Sequence, residues 1–243
     1  MIRSSIPLVR LPLENVKNCR DLGGYPTPYG STRWGRFLRC GDMGQMSEAE
    51  KDYLFDFGVR TVLDLRTPEE CEVSPNPIQT DPRFCYLAFD LIPRSQPSEH
   101  FMKSDLSKLT LGELYIRILD AKERVGAVLD LIAAHDEGAL LFHCTAGKDR
   151  TGVIAMLLLG LSEVSTEDIL ANYQISFTHL DTSIDVLKRV PMNLLDSKPE
   201  YLIHALDHLY TNYGGFPAYF TACGFTTAKQ ATLRLRIVEQ HKH

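Results

Sequence analysis

The chain has 243 residues, of which 44% are hydrophobic and 23% are charged, a composition typical of a globular protein with a substantial core. Its formal net charge of −5 argues against general binding to nucleic acids or acidic membranes, although it leaves room for a local basic pocket. There is no run of 18 apolar residues, so we predict no membrane-spanning segment.

The N-terminal residues and the cysteines bear on the cellular compartment of the protein. Residues 1–18 are interrupted by charged residues and prolines and lack the apolar centre of a signal peptide. The six cysteines are scattered, with no Cys-x-x-Cys pair, which favours reduced thiols over a disulfide framework or a zinc site. We therefore expect a cytoplasmic protein without a metal or other cofactor, while non-classical secretion stays open.

The predicted elements alternate between helices and strands. A capping box at Ser47-Glu48-Ala49-Glu50 begins a helix that ends near Gly58, and the β-branched run 59–63 follows as a strand. A second strand is predicted over 84–89, and a second capping box at Thr110 begins a helical pattern that continues to about residue 134. This order predicts an α/β fold in which a central sheet is flanked by helices.

The remaining connections define the domain organisation. Residues 91–118 are a candidate lid, because their first part is polar, rich in proline and serine, and longer than usual connections. Such segments belong to the least stable part of a fold and can cover a site, although an ordinary surface loop is an equal alternative. After residue 162 the pattern is almost wholly helical, with starts near Ser165, Ser197 and Thr226. We see no linker and predict one domain over residues 1–243 with a helical C-terminal third.

One segment carries more chemical information than the rest of the chain. It runs from His143 to Gly152 as His-Cys-Thr-Ala-Gly-Lys-Asp-Arg-Thr-Gly, between a short apolar run and a longer one. We predict a strand, a tight loop and a buried helix, so that loop N–H groups and the helix N-terminus converge on one concavity. Such a concavity binds an anion with several oxygens, and Arg150 can grip two phosphate oxygens there.

A thiol in this position points to phosphoryl transfer. Cys144 at a helix N-terminus is expected to ionise and act as a nucleophile, which predicts a phosphocysteine intermediate. An inert buried cysteine is the alternative for Cys144 alone, but Gly147 and His143 in the same loop argue against it. A nucleotide-binding P-loop is excluded, because it needs glycine at Phe142 and Ser or Thr at Asp149. Sulfurtransferases and arsenate reductases would also use a loop thiol. The Lys-Asp-Arg-Thr sequence of residues 148–151 matches neither of them as well.

The segment resembles the signature loop of the bacterial atypical tyrosine phosphatases, a group that includes secreted mycobacterial and listerial protein and lipid phosphatases. Residues 18–25, Asn-Cys-Arg-Asp-Leu-Gly-Gly-Tyr, are similar to the N-terminal motif of that family, and residues 64–70, Asp-Leu-Arg-Thr-Pro-Glu-Glu, to its Asp-Leu-Arg segment. Residues 213–224 resemble its C-terminal helical pattern. The chain departs from the wider superfamily because its only tryptophan is Trp34, so it has no Trp-Pro-Asp acid loop.

The resemblance and the loop chemistry together imply site roles. Cys144 attacks phosphorus, and the loop with Arg150 holds the phosphate oxygens. Thr151 is expected to donate a hydrogen bond to the thiolate, and His143 to fix the loop. The expected phosphate-binding residues are Thr145, Ala146, Gly147, Lys148, Asp149, Arg150 and Thr151, with His143, Arg20, Asp21 and Asp64 in support.

The general acid stays open between two carboxyl groups. Asp149 lies inside the loop, whereas Asp90 ends a strand before the candidate lid, where tyrosine phosphatases commonly carry their acid. Arg20 and Asp21 fit a supporting and a catalytic role equally well. The Glu69-Glu70 pair follows Thr67-Pro68, so we interpret both acids as structural residues of a first helical turn.

Lys148 bears on the substrate. A lysine at this position resembles the loop of phosphoinositide 3-phosphatases, where it meets additional phosphates of the inositol ring. We therefore expect a phosphorylated protein or phosphoinositide as partner, with phosphotyrosine first and phosphoserine or phosphothreonine weakly. The alternative is a non-catalytic phosphate-binding pseudophosphatase. The sequence leaves the oligomeric state undecided.

Overall fold

The computed structural model describes residues 9–92, 110–179 and 196–240. Within these ranges the chain forms a five-stranded central sheet with helices on both faces, and a smaller three-stranded sheet. The strands are β1 (Arg20–Asp21), β2 (Pro26–Thr27), β3 (Gly30–Thr32), β4 (Phe37–Cys40), β5 (Val59–Asp64), β6 (Cys85–Ala88), β7 (Ala139–His143) and β8 (Val238–Gln240).

The described helices surround the central sheet. They are α1 (Glu48–Phe57), α2 (Pro68–Val73), α3 (Leu111–Asp120), α4 (Lys122–Ala134), α5 (Asp149–Leu161), α6 (Thr166–Gln174), α7 (Pro199–Tyr213), α8 (Phe216–Ala222) and α9 (Thr227–Ile237). Two 3₁₀ turns, Pro77–Thr80 and Ile175–His179, complete the described elements. No helix in the described ranges has the length and apolar character needed to cross a bilayer.

The topology brings several strand ends to one edge. The central sheet has the order β1-β4-β7-β5-β6, in which β1 is antiparallel to β4 and the other neighbours are parallel. In register with His143 at the end of β7 are Cys40 of β4 and Asp64 of β5. The residues that follow these strands therefore meet at the carboxyl edge, where open parallel sheets bind ligands.

The core has one layer on each face of the central sheet. Alternate residues of β7 enter the two layers: Leu140 and Phe142 pack against α3, α4 and α5, whereas Leu141 packs on the face covered by α1. In α5 every residue except Asp149 is buried, which explains why its sequence is apolar on all sides. This buried helix fixes the position of the loop that precedes it.

The element predictions are largely confirmed. Helix α1 has the predicted capping box between Ser47 and Glu50 and ends at Gly58, whose φ of 111° is left-handed. Strands β5 and β6 lie where they were predicted, and α6 and α9 begin at their predicted caps, Ser165 and Thr226. The pattern from Thr110 onward is interrupted, however, because Ala121 leaves the helical conformation and separates α3 from α4.

Two predictions need correction or lie outside the described ranges. The helical C-terminal third ends in strand β8, which pairs antiparallel with β3. Of the candidate lid, residues 93–109 lie outside the described ranges. Its last part, residues 111–118, belongs to α3, whose Leu114, Tyr115 and Ile118 are buried in the main core. A lid that includes this part of α3 would have to break core contacts.

A close contact between α4 and the C-terminal helices tests the one-domain prediction. A Cβ atom added at Gly126 would lie 2.1 Å from the backbone oxygen of Cys223. Helix propensity alone favours Gly126→Ala by about 1 kcal/mol. We expect the steric conflict to win, so that the variant is destabilised by about 1–3 kcal/mol in urea titrations. The loss should appear in a single transition of the whole chain, and a higher urea midpoint would contradict the tight packing.

Candidate active site

The loop between β7 and α5 packs directly on the end of β4. Gly147 has a left-handed φ of 64°, and a Cβ atom there would lie 2.4 Å from the backbone oxygen of Cys40. No other residue type fits this position without moving backbone. Cys144 follows β7 and is only 1% exposed. The predicted strand, loop and helix are therefore confirmed, with the thiol at the base of the loop.

Hydrogen bonds from three elements hold the loop carbonyls on its underside. Asn18 Nδ2 donates to the carbonyl oxygens of Ala146 at 3.1 Å and Gly147 at 3.0 Å. Arg39 Nη2 donates to the same Gly147 oxygen at 2.8 Å. The backbone N–H of Asp42 donates to the Thr145 oxygen at 2.8 Å. The three acceptors belong to successive peptide units of the loop, and the Gly147 oxygen is shared by two donors.

This arrangement fixes the direction of the N–H groups. In a trans peptide unit the C=O and N–H bonds point in opposite directions. The N–H groups that follow the tethered carbonyls therefore face the mouth of the loop. Those of Ala146 and Gly147 have no acceptor in the part of the chain that the structure describes. Converging N–H donors next to a helix N-terminus make a site suited to phosphate.

Arg150 is oriented by a carboxylate that the sequence analysis assigned to a purely structural role. Glu70 accepts from Arg150 Nη1 at 2.5 Å and Nη2 at 2.7 Å, and from the Thr145 hydroxyl at 2.6 Å. Burial opposes ionisation of Glu70, but the bonds from Arg150 and Thr145 outweigh it and lower its pKa to about 2. Glu70 is therefore a carboxylate that holds Arg150 at neutral pH.

Glu70 also makes the capping interaction that the sequence suggested. Its side chain accepts from the backbone N–H of Thr67, which is the N-cap of α2. The structural interpretation was thus correct but incomplete, since one carboxylate serves both the helix cap and Arg150. No local pattern indicates the second contact, because Glu70 and Arg150 are 80 positions apart in the sequence.

Arg150 retains a free edge. Glu70 takes one N–H from each terminal nitrogen, and the Leu65 carbonyl lies 3.4 Å from Nη1. Nε has no hydrogen-bond partner among the described residues. The edge formed by Nε and Nη2, whose other described contact is a long one of 3.5 Å from Nη2 to the Thr145 hydroxyl, can therefore bind two oxygens of a phosphate while Glu70 stays in place.

His143 belongs to a buried polar cluster with Asn76 and Asp64. Its Nε2 lies 3.0 Å from Asn76 Nδ2 and 3.3 Å from Asp64 Oδ2, and its Nδ1 lies 3.2 Å from the Cys144 oxygen. Asp64 also accepts from Arg66 Nη2 at 2.6 Å. Burial opposes ionisation of Asp64, but the bonds with His143 and Arg66 hold its pKa well below its usual range. His143 and Asp64 thus support the strand end from which the loop begins.

Arg20 and Asp21 point to opposite faces of β1 and support different parts. Arg20 is 1% exposed, donates to both oxygens of Asn18, and binds the Asn172 carbonyl at 2.8 Å. It therefore supports the residue that tethers the loop. Asp21 accepts from the N–H groups of Gly23 and Gly35, and burial raises its pKa to about 6. Its contacts hold two turns of the chain and do not include the loop.

The Lys148 side chain is buried, so the structure does not place it where it would meet additional substrate phosphates. Its side chain is 0% exposed, and Nζ donates to the Asp196 carbonyl at 2.5 Å and lies 3.3 Å from Asp149 Oδ1. The same Asp149 oxygen accepts from the Tyr115 hydroxyl at 2.6 Å. Asp149 Oδ1 is thus already engaged by two donors in the first turn of α5.

Asp90 and Thr151 complete the predicted site residues. The chain at Asp90 is separated from Arg150 by Leu65, whose carbonyl accepts from the N–H of Leu91 at 3.5 Å as well as from Arg150. Asp90 Oδ1 accepts from the N–H of Ile92 at 2.9 Å. Thr151 Oγ1 is buried without a hydrogen-bond partner in the described ranges, so the predicted bond to the thiol is not formed in this structure.

Comparisons with known proteins agree with this geometry. A tyrosine-protein phosphatase of Nostoc commune is 40% identical over 152 residues, which is 60% of this chain and 49% of that protein. A relative from Cupriavidus necator, also named as a tyrosine-protein phosphatase, is 34% identical over 174 residues, covering 67% of this chain and 61% of that protein. The chain thus spans about half to three fifths of the length of these curated relatives.

Solved structures are similar at a more distant level. Pseudomonas aeruginosa TpbA is 18% identical with a TM-score of 0.34, covering 58% of this chain and 68% of that chain. A human tyrosine phosphatase-like serine/threonine/tyrosine-interacting protein is 13% identical with a TM-score of 0.38, covering 72% and 92%. The model of the tyrosine phosphatase family matches residues 11–239. This match includes every element of the loop and its supports, and the chain belongs to the tyrosine phosphatase family.

Proposed function

We propose that the protein hydrolyses phosphotyrosine in proteins through a phosphocysteine at Cys144. The observation that carries this proposal is the loop itself, in which a buried thiol lies below N–H groups that face the mouth and beside the free edge of Arg150. The names of the curated relatives support the same activity. The free state of all six cysteines supports a reducing compartment such as the cytoplasm.

The residues have distinct tasks in the proposed reaction. Arg150 and the loop N–H groups bind the phosphate oxygens, and the Cys144 thiolate attacks phosphorus in line with the leaving tyrosine oxygen. Charge on the equatorial oxygens is stabilised by donors already fixed in place. Water then hydrolyses the phosphocysteine. The Thr151 hydroxyl, unpartnered in the described ranges, is available to the sulfur when it leaves.

For the general acid we favour Asp90 over Asp149. A general acid must reach the leaving group, and Asp149 Oδ1 already accepts from the Tyr115 hydroxyl and lies 3.3 Å from Lys148 Nζ. Asp90 lies on the segment beside Leu65, which contacts Arg150, and precedes residues 93–109. Asp149 then serves to anchor the first turn of α5.

Phosphoinositide hydrolysis is a weaker candidate. It was expected because Lys148 would meet additional phosphates of the substrate, whereas the Lys148 side chain is buried and bound to a backbone carbonyl. Phosphotyrosine needs only the loop and Arg150. A phosphate-binding pseudophosphatase would use the same loop without turnover, so the nucleophile is the residue to test first.

Replacing the nucleophile separates catalysis from binding. We expect Cys144→Ser to lower kcat on p-nitrophenyl phosphate by about 10⁴-fold or more, because the hydroxyl is a far weaker nucleophile. Vanadate or phosphate binding, measured by calorimetry, should persist. Cys85→Ser is the matched control, since Cys85 is an exposed thiol on β6 and should keep full activity. Turnover retained in Cys144→Ser, or full dependence on magnesium, would refute the mechanism.

The pH dependence of the rate identifies the general acid. With an aryl phosphate that has a poor leaving group, Asp90→Asn should lose the basic limb of the pH–rate profile and about 100-fold in kcat. Asp149→Asn should keep that limb and show a lower urea midpoint, because it loses the contacts with Tyr115 and Lys148. If the basic limb disappears in Asp149→Asn and persists in Asp90→Asn, the assignment is reversed.

The burial of Lys148 predicts its effect on substrate choice. We expect Lys148→Ala to lower turnover of a phosphoinositide and of p-nitrophenyl phosphate by similar factors, and to cost about 1.5–3 kcal/mol of stability. Lys198→Ala is the control, since Lys198 is exposed and pairs with the Asp196 side chain. A selective loss of phosphoinositide turnover would show instead that Lys148 reaches the lipid headgroup.

A further inference from the structure

Two buried arginines lie beneath the catalytic loop. Arg20 of β1 and Arg39 of β4 are direct cross-strand partners, and they are 1% and 0% exposed. Neither forms an ion pair with a carboxylate in the described ranges. All their hydrogen-bond partners there are neutral groups. Arg20 donates to Asn18, to the Asn172 carbonyl and to the Ser176 hydroxyl. Arg39 donates to the Asn172 side chain and to the backbone carbonyls of Gly147 and Lys148.

Such an arrangement is costly. A buried charge without an ionic partner loses hydration that neutral hydrogen bonds restore only in part. The Nε atoms of Arg20 and Arg39 have no partner at all among the described residues. Burial lowers the pKa of Arg39 to about 10. Burial and the repulsion from Arg39 both lower the pKa of Arg20. Other ion clusters of this site are neutralised, as in Asp64 with Arg66 and Glu70 with Arg150.

The guanidinium of Arg39 lies inside the turn made by the loop and α5. Its Nη2 donates to the Gly147 oxygen at 2.8 Å, and a Cβ atom added at Gly152 would lie 3.6 Å from the same nitrogen. Its Nη1 donates to Asn172 Oδ1 at 2.6 Å, which fixes the plane of the group. Among the groups that raise the pKa of Arg39, an ionised Cys144 has the largest effect. Arg39 is also the register partner of Phe142, two residues before Cys144, so its charge lies between the strand end that leads to the thiol and the loop that follows it.

We infer that Arg39 is a positioning residue that places a fixed positive charge beneath the Cys144 thiolate and ties the loop carbonyls to its underside. The inference rests on the proposed function, since it assumes that Cys144 acts as a thiolate. Arg39 is a cation that does not touch substrate, and it acts in addition to Arg150 and the loop N–H groups. A guanidinium suits the tethering part of this task better than an ammonium, because it donates to Gly147 and Asn172 in a fixed plane.

Other charged or titratable groups also act on the loop. Arg20 is next to Arg39, and Tyr115 and Tyr173 contact Asp149 from α3 and α6. Among the described residues, the titratable and charged groups around the loop include Cys19, Arg20, Tyr25, Arg39, Cys40, Asp64, Glu70, Tyr115, His143, Lys148, Asp149, Arg150 and Tyr173. A test must therefore change the charge of Arg39 alone and leave this surrounding set intact.

Alkylation by iodoacetate measures the thiolate without turnover. Arg39→Gln removes the charge but keeps an amide that can donate to Gly147. We expect its alkylation at pH 6 to be about tenfold slower than in the wild type, with the midpoint of the rate against pH moved upward by about one unit. Arg39→Lys keeps the charge and should stay near the wild-type midpoint.

A half-buried arginine provides the control. Arg236 of α9 donates to the carbonyls of Ile132, Ala133 and His135, and its Nε is also unpartnered among the described residues. Arg236→Gln should lower the urea midpoint but leave the alkylation midpoint unchanged. If Arg39→Gln gives no folded protein, Arg20→Gln removes the neighbouring cation and should move the alkylation midpoint upward by a smaller amount.

The outcomes distinguish this inference from the proposed function. An unshifted alkylation midpoint in folded Arg39→Gln, or equal shifts in the Gln and Lys variants, would overturn the charge role. A wild-type protein that is alkylated rapidly at pH 6 but hydrolyses no phosphotyrosine would instead overturn the proposed function. In that case the shift in Arg39→Gln would still show that Arg39 stabilises the thiolate.

Discussion

The direction of the peptide units in the loop after β7 is the constraint on which the site depends. Their carbonyl oxygens are tied to Asn18, Arg39 and the N–H of Asp42, and the N–H bonds must then point to the opposite side. Without these ties the loop could satisfy its N–H groups internally and lose its anion site. Gly147 makes the arrangement possible, because only a residue without Cβ can approach Cys40 so closely.

The supports of the loop come from distant parts of the chain. Asn18 precedes the first strand of the central sheet and Arg20 begins it, Glu70 lies in the first turn of α2, and Asn172 lies in the last turn of α6. The parallel order of β4, β7 and β5 gathers these segments at one edge. Since α5 is buried on nearly all sides, the first turn that carries Arg150 has little freedom to move. The proposed chemistry is therefore preorganised by the fold before any substrate binds.

The charges of the site fall into two groups. Asp64 with Arg66, and Glu70 with Arg150, are neutralised pairs whose carboxylates have lowered pKa values. Arg20 and Arg39 are buried without such a partner among the described residues. A neutralised pair orients a side chain without adding net field, whereas an unpaired cation favours an anion nearby. The site thus combines oriented donors with a net positive interior.

The sequence by itself determined the α/β class, the helix starts at Ser47, Ser165 and Thr226, and the strand–loop–helix around Cys144. These features follow from local rules, since caps, apolar runs and a glycine-containing loop act over a few residues. Only the tertiary structure decided that Glu70 binds Arg150, that Lys148 is buried, and that Arg39 lies beneath the loop. Those contacts join residues 48 to 108 positions apart, and no local pattern specifies which distant side chains the sheet order brings together.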